Sequence, residues 1–227
     1  MTSHDRDDRT RDDEDCWRGR GDTTPYVPGL PRSVPSARTL SALYDAMACC
    51  TRCDLAPGRT QVVPGVGPAD ARVLLIGEAP GAQEDRAGRP FVGRAGELLD
   101  ALLERARLER DEVFITNVVA CRPPGNRTPR VREVEAHSPW LEQQIRLVAP
   151  ELIVTLGRVA LTYFVPDAKV TEVRGRPIEV ERAGRTIRLL PVVHPAAALR
   201  RRSLRPDLER DFERIGRLLG RSARGGG

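Results

Sequence analysis

The chain has 227 residues and a mass of 25.1 kDa, the size of one domain with irregular ends. Hydrophobic residues make up 40% and charged residues 30%, and no apolar run approaches the roughly eighteen residues a membrane-crossing helix needs. A soluble protein without a secretory signal is expected, with cytoplasm as its location. The formal charge is +5, and of 37 basic residues only Lys169 is a lysine. A lysine nucleophile therefore has one candidate besides the chain N-terminus. The five cysteines, Cys16, Cys49, Cys50, Cys53 and Cys121, are an odd set for a disulfide framework. The Cys50-x-x-Cys53 spacing suits metal or redox chemistry better.

Residues 1–36 are rich in Asp, Arg, Pro and Gly without hydrophobic period and predict a disordered leader. The folded domain is expected at 37–220, and 221–227 as a flexible tail. Residues 40–49 (LSALYDAMAC) predict a helix, and 72–77 (RVLLIG) a buried strand. Residues 96–108 carry apolar positions three and four apart, an amphipathic helix. A second strand follows at 113–119, a long helix at 131–148, a third strand at 151–156 and a helix at 157–164. Residues 178–181 and 186–190 flank Ala183-Gly184 as a hairpin, its second arm running on to 193, and a helix at 205–219 closes the domain. Strands alternating with long helices predict an α/β fold, a three-layer α/β/α sandwich around a central, mainly parallel, four-stranded sheet. Right-handed crossovers put the strand C-termini on one edge, where such sheets keep their sites.

The unusual polar residues fall at that edge. Gly77-Glu78-Ala79-Pro80-Gly81 follows the first strand, with Glu84-Asp85 and Gly88-Arg89-Pro90-Phe91-Val92-Gly93 beyond it. Such a turn offers backbone N–H groups to an anion or a polar ring edge. It fits neither GxGxxG nor GxxxxGK[ST], so it marks no dinucleotide or P-loop site. The second strand carries Thr116-Asn117, and the last ends at His194-Pro195. A buried Asn amide has the planar donor and acceptor pair that a nucleobase edge requires.

The stretches GEAPGAQEDRAGRPFVGRAGELL, TNVVACRPPGNRTP and HPAAALRR, with CTRCDL, resemble a family 4 uracil-DNA glycosylase of the iron-sulfur type, over about residues 40–218. The resemblance implies that Phe91 stacks on a flipped base, that Asn117 pairs with its Watson–Crick edge, and that Gly77 and Glu78 lie against base and sugar. It also implies that His194 stabilises charge growing on the uracil O2 oxygen. Glu78, Glu84 or Asp85 is expected to orient water and offset positive charge on the sugar. Ala79 stands where another branch of the superfamily has a catalytic Asp. With no lysine in any motif, a monofunctional enzyme leaving an abasic site is expected. The short PPGNRTP stretch lacks the histidine of a cross-linking branch, so turnover rather than self-trapping is expected. Arg200 and Arg201 are candidates for clamping DNA phosphates beside the pocket.

The resemblance further implies a 4Fe-4S cluster on four cysteines, three of which correspond to Cys50, Cys53 and Cys121. The fourth position is His137, and imidazole can ligate cluster iron. Zinc, completion by Cys49, and a lost or labile metal are the alternatives. The expected partner is uracil-containing DNA, single- or double-stranded, with the protein a nucleoid-associated monomer. The competing functions are a metal-containing module that binds damaged DNA without cleaving it, and a glycosylase for hypoxanthine or xanthine.

Overall fold

Three apolar runs of five residues, VLLIG, VFITN and LIVTL, form strands buried at every position, as strands covered on both faces must be. The computed structural model describes residues 34–220. The tail at 221–227 and all but the last three residues of the leader at 1–36 lie outside the described residues, as does Cys16. The order is α1 (Leu40–Ala48), β1 (Val73–Gly77), α2 (Ala82–Ala87), α3 (Arg94–Ala106), β2 (Val113–Asn117), α4 (Val131–Val148), β3 (Leu152–Leu156), α5 (Arg158–Phe164), α6 (Val170–Val173), β4 (Ile178–Arg182), β5 (Arg185–Val192), α7 (Pro195–Arg200) and α8 (Arg205–Leu218).

The strands form one sheet in the order β2-β1-β3-β5-β4. β2, β1, β3 and β5 are parallel, and they are the four-stranded core that the sequence predicts. A fifth strand is added by β4, the first arm of the hairpin, which pairs antiparallel along the β5 edge. Ala183 and Gly184, with φ of 52° and 71°, make the two-residue turn whose twist matches that of the strands.

Alternation along each strand divides the core in two. Val73, Leu75, Val113, Ile115, Leu152 and Val154 face a layer built from α3 and α8. Leu74, Ile76, Phe114, Ile153 and Leu189 face α4 and α5. A smaller cluster of Leu43, Met47, Cys50, Ala120 and Trp140 fixes α1 to α4. The β1-to-β2 crossover runs over one face and the β2-to-β3 crossover over the other, so the winding reverses at β1. That reversal opens a crevice at the C-terminal ends of the strands. Among the described residues, no helix is long and apolar enough to cross a membrane.

Candidate active site

Gly77 and Asn117 are register partners at the ends of β1 and β2, and the chain leaves β3 at Gly157 and β5 just before His194. A cleft of about 400 Å³ opens there, lined by Glu78, Glu84, Phe91, Asn117, His194 and Arg200 among others. Gly77 itself is not among the lining residues and lies behind two of them. A Cβ on Gly77 would strike Asn117 Oδ1 and lie 2.8 Å from the Phe91 ring, so glycine lets the amide and the ring approach each other. Gly157, at φ +90°, does the same beneath His194, where a Cβ would come within 2.9 Å of the imidazole Cβ.

Phe91 sits in left-handed backbone at φ 53°, a conformation unfavourable for an aromatic residue and held only by its surroundings. Arg110 donates to the carbonyls of Pro90 and Phe91 at 3.0 and 2.9 Å. Gly96 leaves the space against which the Phe91 carbonyl packs. The ring then stacks with His194, centroids 5.7 Å apart at 23°.

His194 is also the N-cap of α7, its Nδ1 accepting the N–H of Ala196 at 3.1 Å. Burial, reinforced by the charge of Arg200, lowers its pKa to about 4. The ring is therefore neutral at ordinary pH, and with Nδ1 accepting, the proton resides on Nε2. Burial pushes the Glu78 carboxyl above the usual carboxylate range, opposed by a hydrogen bond with Thr128 and by the charges of Arg158 and Arg200.

The three acidic candidates separate. Glu84 lines the cleft, but its carboxylate accepts from the N–H groups of Gly81, Val92 and Gly93, each at 3.1 Å. It ties the two glycine-rich turns together. Asp85 is 2% exposed and is not among the cleft-lining residues. Its two oxygens accept the backbone N–H and the hydroxyl of Thr60 at 2.9 and 2.7 Å, so it is no candidate for contact with water or sugar in the cleft. Arg200 reaches the cleft, whereas the exposed Arg201 lies outside its lining and donates to Ser203 Oγ at 3.3 Å.

Sequence reasoning missed Thr128, Arg127 and Arg158. Arg127 lines the cleft but is held in a two-bond pair with the buried Glu133, at 2.6 and 2.8 Å, which fastens the loop after β2 to α4. Arg158 is the first helical residue after β3, and the rule that singled out Gly77, Asn117 and His194 by their position after a strand could have found it.

Away from the cleft, Cys50, Cys53, Cys121 and His137 are all buried, on the segment after α1, the loop after β2 and α4. His137 Nδ1 lies 2.8 Å from the Glu133 carbonyl and 4.0 Å from Cys53 Sγ. Burial lowers the His137 pKa to about 4 and raises that of Cys121 to about 12. A neutral imidazole beside the Cys53 and Cys121 thiols, whose ionisation burial opposes and a cation would favour, is a donor set suited to a metal group. Among the described residues, no three His, Cys, Asp or Glu side chains gather closely enough to hold a single ion.

A description of the uracil DNA glycosylase superfamily matches residues 64–215, more than half of the chain. A type-4 uracil-DNA glycosylase of Archaeoglobus fulgidus is 43% identical over 177 residues, 76% of this chain and 89% of that protein. One from Thermotoga maritima is 48% identical over 156 residues, 68% of this chain and 80% of that protein. The likeness to a type-5 uracil-DNA glycosylase of Thermus thermophilus is shorter, 41% over 115 residues, 44% of this chain and 52% of that protein. The chain belongs to the uracil DNA glycosylase superfamily and, within it, to the type-4 family.

Proposed function

We propose that the protein is a monofunctional glycosylase that excises uracil from DNA by hydrolysis and leaves an abasic site. The observation that carries this reading is the meeting of Phe91, Asn117 and His194 in one cleft at the strand ends. A flipped base costs a few kcal/mol of lost stacking and pairing, which stacking on Phe91 and pairing with Asn117 partly recover. Cytosine presents an amine where uracil has a carbonyl, and an amide held in one orientation leaves one of the two unpaired.

As the bond between N1 and C1′ breaks, its electron pair moves onto the base, and negative charge grows on O2. The neutral His194 donates its Nε2–H to that oxygen, a dipole fixed in place by the cap to Ala196. Glu78, as the anion, offsets positive charge on the sugar and orients the water that adds to C1′, and the proton that water loses neutralises the released uracil anion. Glu84 shapes the two turns. Lys169, the chain's single lysine, pairs with Glu172 at 3.0 Å and is absent from the cleft lining, which favours hydrolysis over a Schiff base. Arg200 engages a phosphate beside the everted nucleotide.

The resident cofactor in this reading is a 4Fe-4S cluster held by Cys50, Cys53, Cys121 and His137. When bound, the group supplies a structural cross-link between three segments and no reacting atom. Iron without zinc on elemental analysis, with broad visible absorbance, is the expected result.

The test is alkaline cleavage of a uracil-containing oligonucleotide after incubation with the protein. Turnover should fall by at least about a hundredfold in His194→Ala and in Asn117→Ala. If both variants retained wild-type turnover, the cleft would not be the active site.

A further inference from the structure

Between the thiols and the cleft runs the strap of residues 59–63. Arg59 donates to the Cys50 carbonyl at 2.6 Å and to Cys121 Sγ at 3.5 Å. Val63 N–H donates to the carbonyl of Ala120, the neighbour of Cys121, at 2.8 Å. The strap is therefore fixed at both ends to the thiol cradle. Its middle is fixed elsewhere. Thr60 gives its N–H and its hydroxyl to the two oxygens of Asp85 in α2, and Gln61 donates to the Arg86 carbonyl at 2.8 Å. Asp85 directly follows Glu84, whose carboxylate holds the amides of Val92 and Gly93, next to the strained Phe91.

We propose that Asp85 is a positioning residue that, through Thr60, couples the thiol cradle to the base pocket. This rests on the reading of the cleft as a uracil pocket. A carboxylate taken out of water must be satisfied in place, and here both oxygens are engaged by one residue of the strap. Those bonds set the rotation of the six-residue α2 about its axis. On a helix of that length, neighbouring side chains diverge by about 100°, so anchoring Asp85 toward the strap points Glu84 toward the turn that carries Phe91. Loss of the anchor leaves Glu84 free to shift and its grip on the Val92 and Gly93 amides to loosen. DNA binding through phosphates is untouched by that change, and the step after base eversion is slowed.

The experiment uses the full metal-loaded chain as wild type, Thr60→Val, Thr60→Ser and Asp85→Asn. Thr60→Val and Asp85→Asn should lower kcat on uracil-containing single strands by about tenfold, the scale of a sub-ångström misplacement, with KM changed by less than about twofold. Amide exchange at Val92 and Gly93 should quicken, iron per chain should stay at the wild-type level, and Thr60→Ser, which keeps the hydroxyl, should restore kcat. Wild-type kcat and wild-type exchange in Thr60→Val would overturn the proposal. Loss of iron in step with loss of turnover would also overturn it, because Thr60 would then serve the cradle alone. If the wild type itself released no uracil, the reading of the cleft would fall first, and this inference with it.

Discussion

In the cleft, Glu78 and His194 are separated by their environments, and pH distinguishes them. The folded pKa of His194, about 4, lies below its ordinary value while that of Glu78 lies above its own, so as pH rises the ring is neutral before Glu78 is ionised. In the proposed role Glu78, raised by burial, works as the anion, so activity should be full above its elevated pKa and lost as pH falls through it. The kcat of uracil release should therefore show a single-proton acid limb with its midpoint above the usual carboxylate value. Glu78→Gln should abolish that limb and reduce the plateau by about a hundredfold, within the range for a positioned acid or base. An unaltered limb in the variant would move the assignment to another group. Residue type at a strand end made Asn117 and His194 legible in the sequence. Glu84 and Asp85 could not be told apart there, because adjacent residues on a helix point in different directions and only packing decides which one meets the cleft.

Long elements could be read because their apolar period spans several turns. Residues 131–148 are an uninterrupted helix even with Pro139 inside it, and α3 presents Leu98, Leu99, Leu102 and Leu103 to the core. Short elements escaped that reading. α2 and α7 have six residues each, too few to display a period. They are fixed instead by Glu84 on the Gly81 amide and His194 on the Ala196 amide, end contacts that no hydrophobic pattern reports. The strap at 59–63 escaped for the same reason, since its role lies in side chains meeting distant backbone. Stability should reside in the long elements. Leu102, 1% exposed on the α3 face that packs in the same cluster as α8, should cost about 3 kcal/mol when cut to alanine. For a chain of this size that is a thermal midpoint lowered by about 6–12 °C. Calorimetry on Leu102→Ala checks this, and turnover per folded molecule at 25 °C should be unchanged because no cleft contact is involved.

Across the whole molecule, the arginine excess is spread unevenly in its effect. Arg72, Arg105, Arg110, Arg127, Arg132, Arg174, Arg182, Arg205 and Arg210 each face a carboxylate within 4.0 Å, and those charges are largely spent within the fold. Among the described residues, Arg158 and Arg200 form no such ion pair, and both act on Glu78 at the cleft. Two positive charges are thus left available to a polyanion at the strand ends, although the sequence shows only a net charge of +5. Each phosphate contact releases counterions, so binding to a single strand should weaken with salt by a slope of about 0.7 in log K per contact. Arg200→Ala should shallow that slope by nearly one contact's worth and weaken all sequences alike. Arg185, at the start of β5 and hence at the opposite edge of the sheet, is the matched control. Its replacement by alanine removes the same charge from the molecule, so a slope that changed equally in both variants would mean that total charge, and not its placement at the cleft, draws the DNA in.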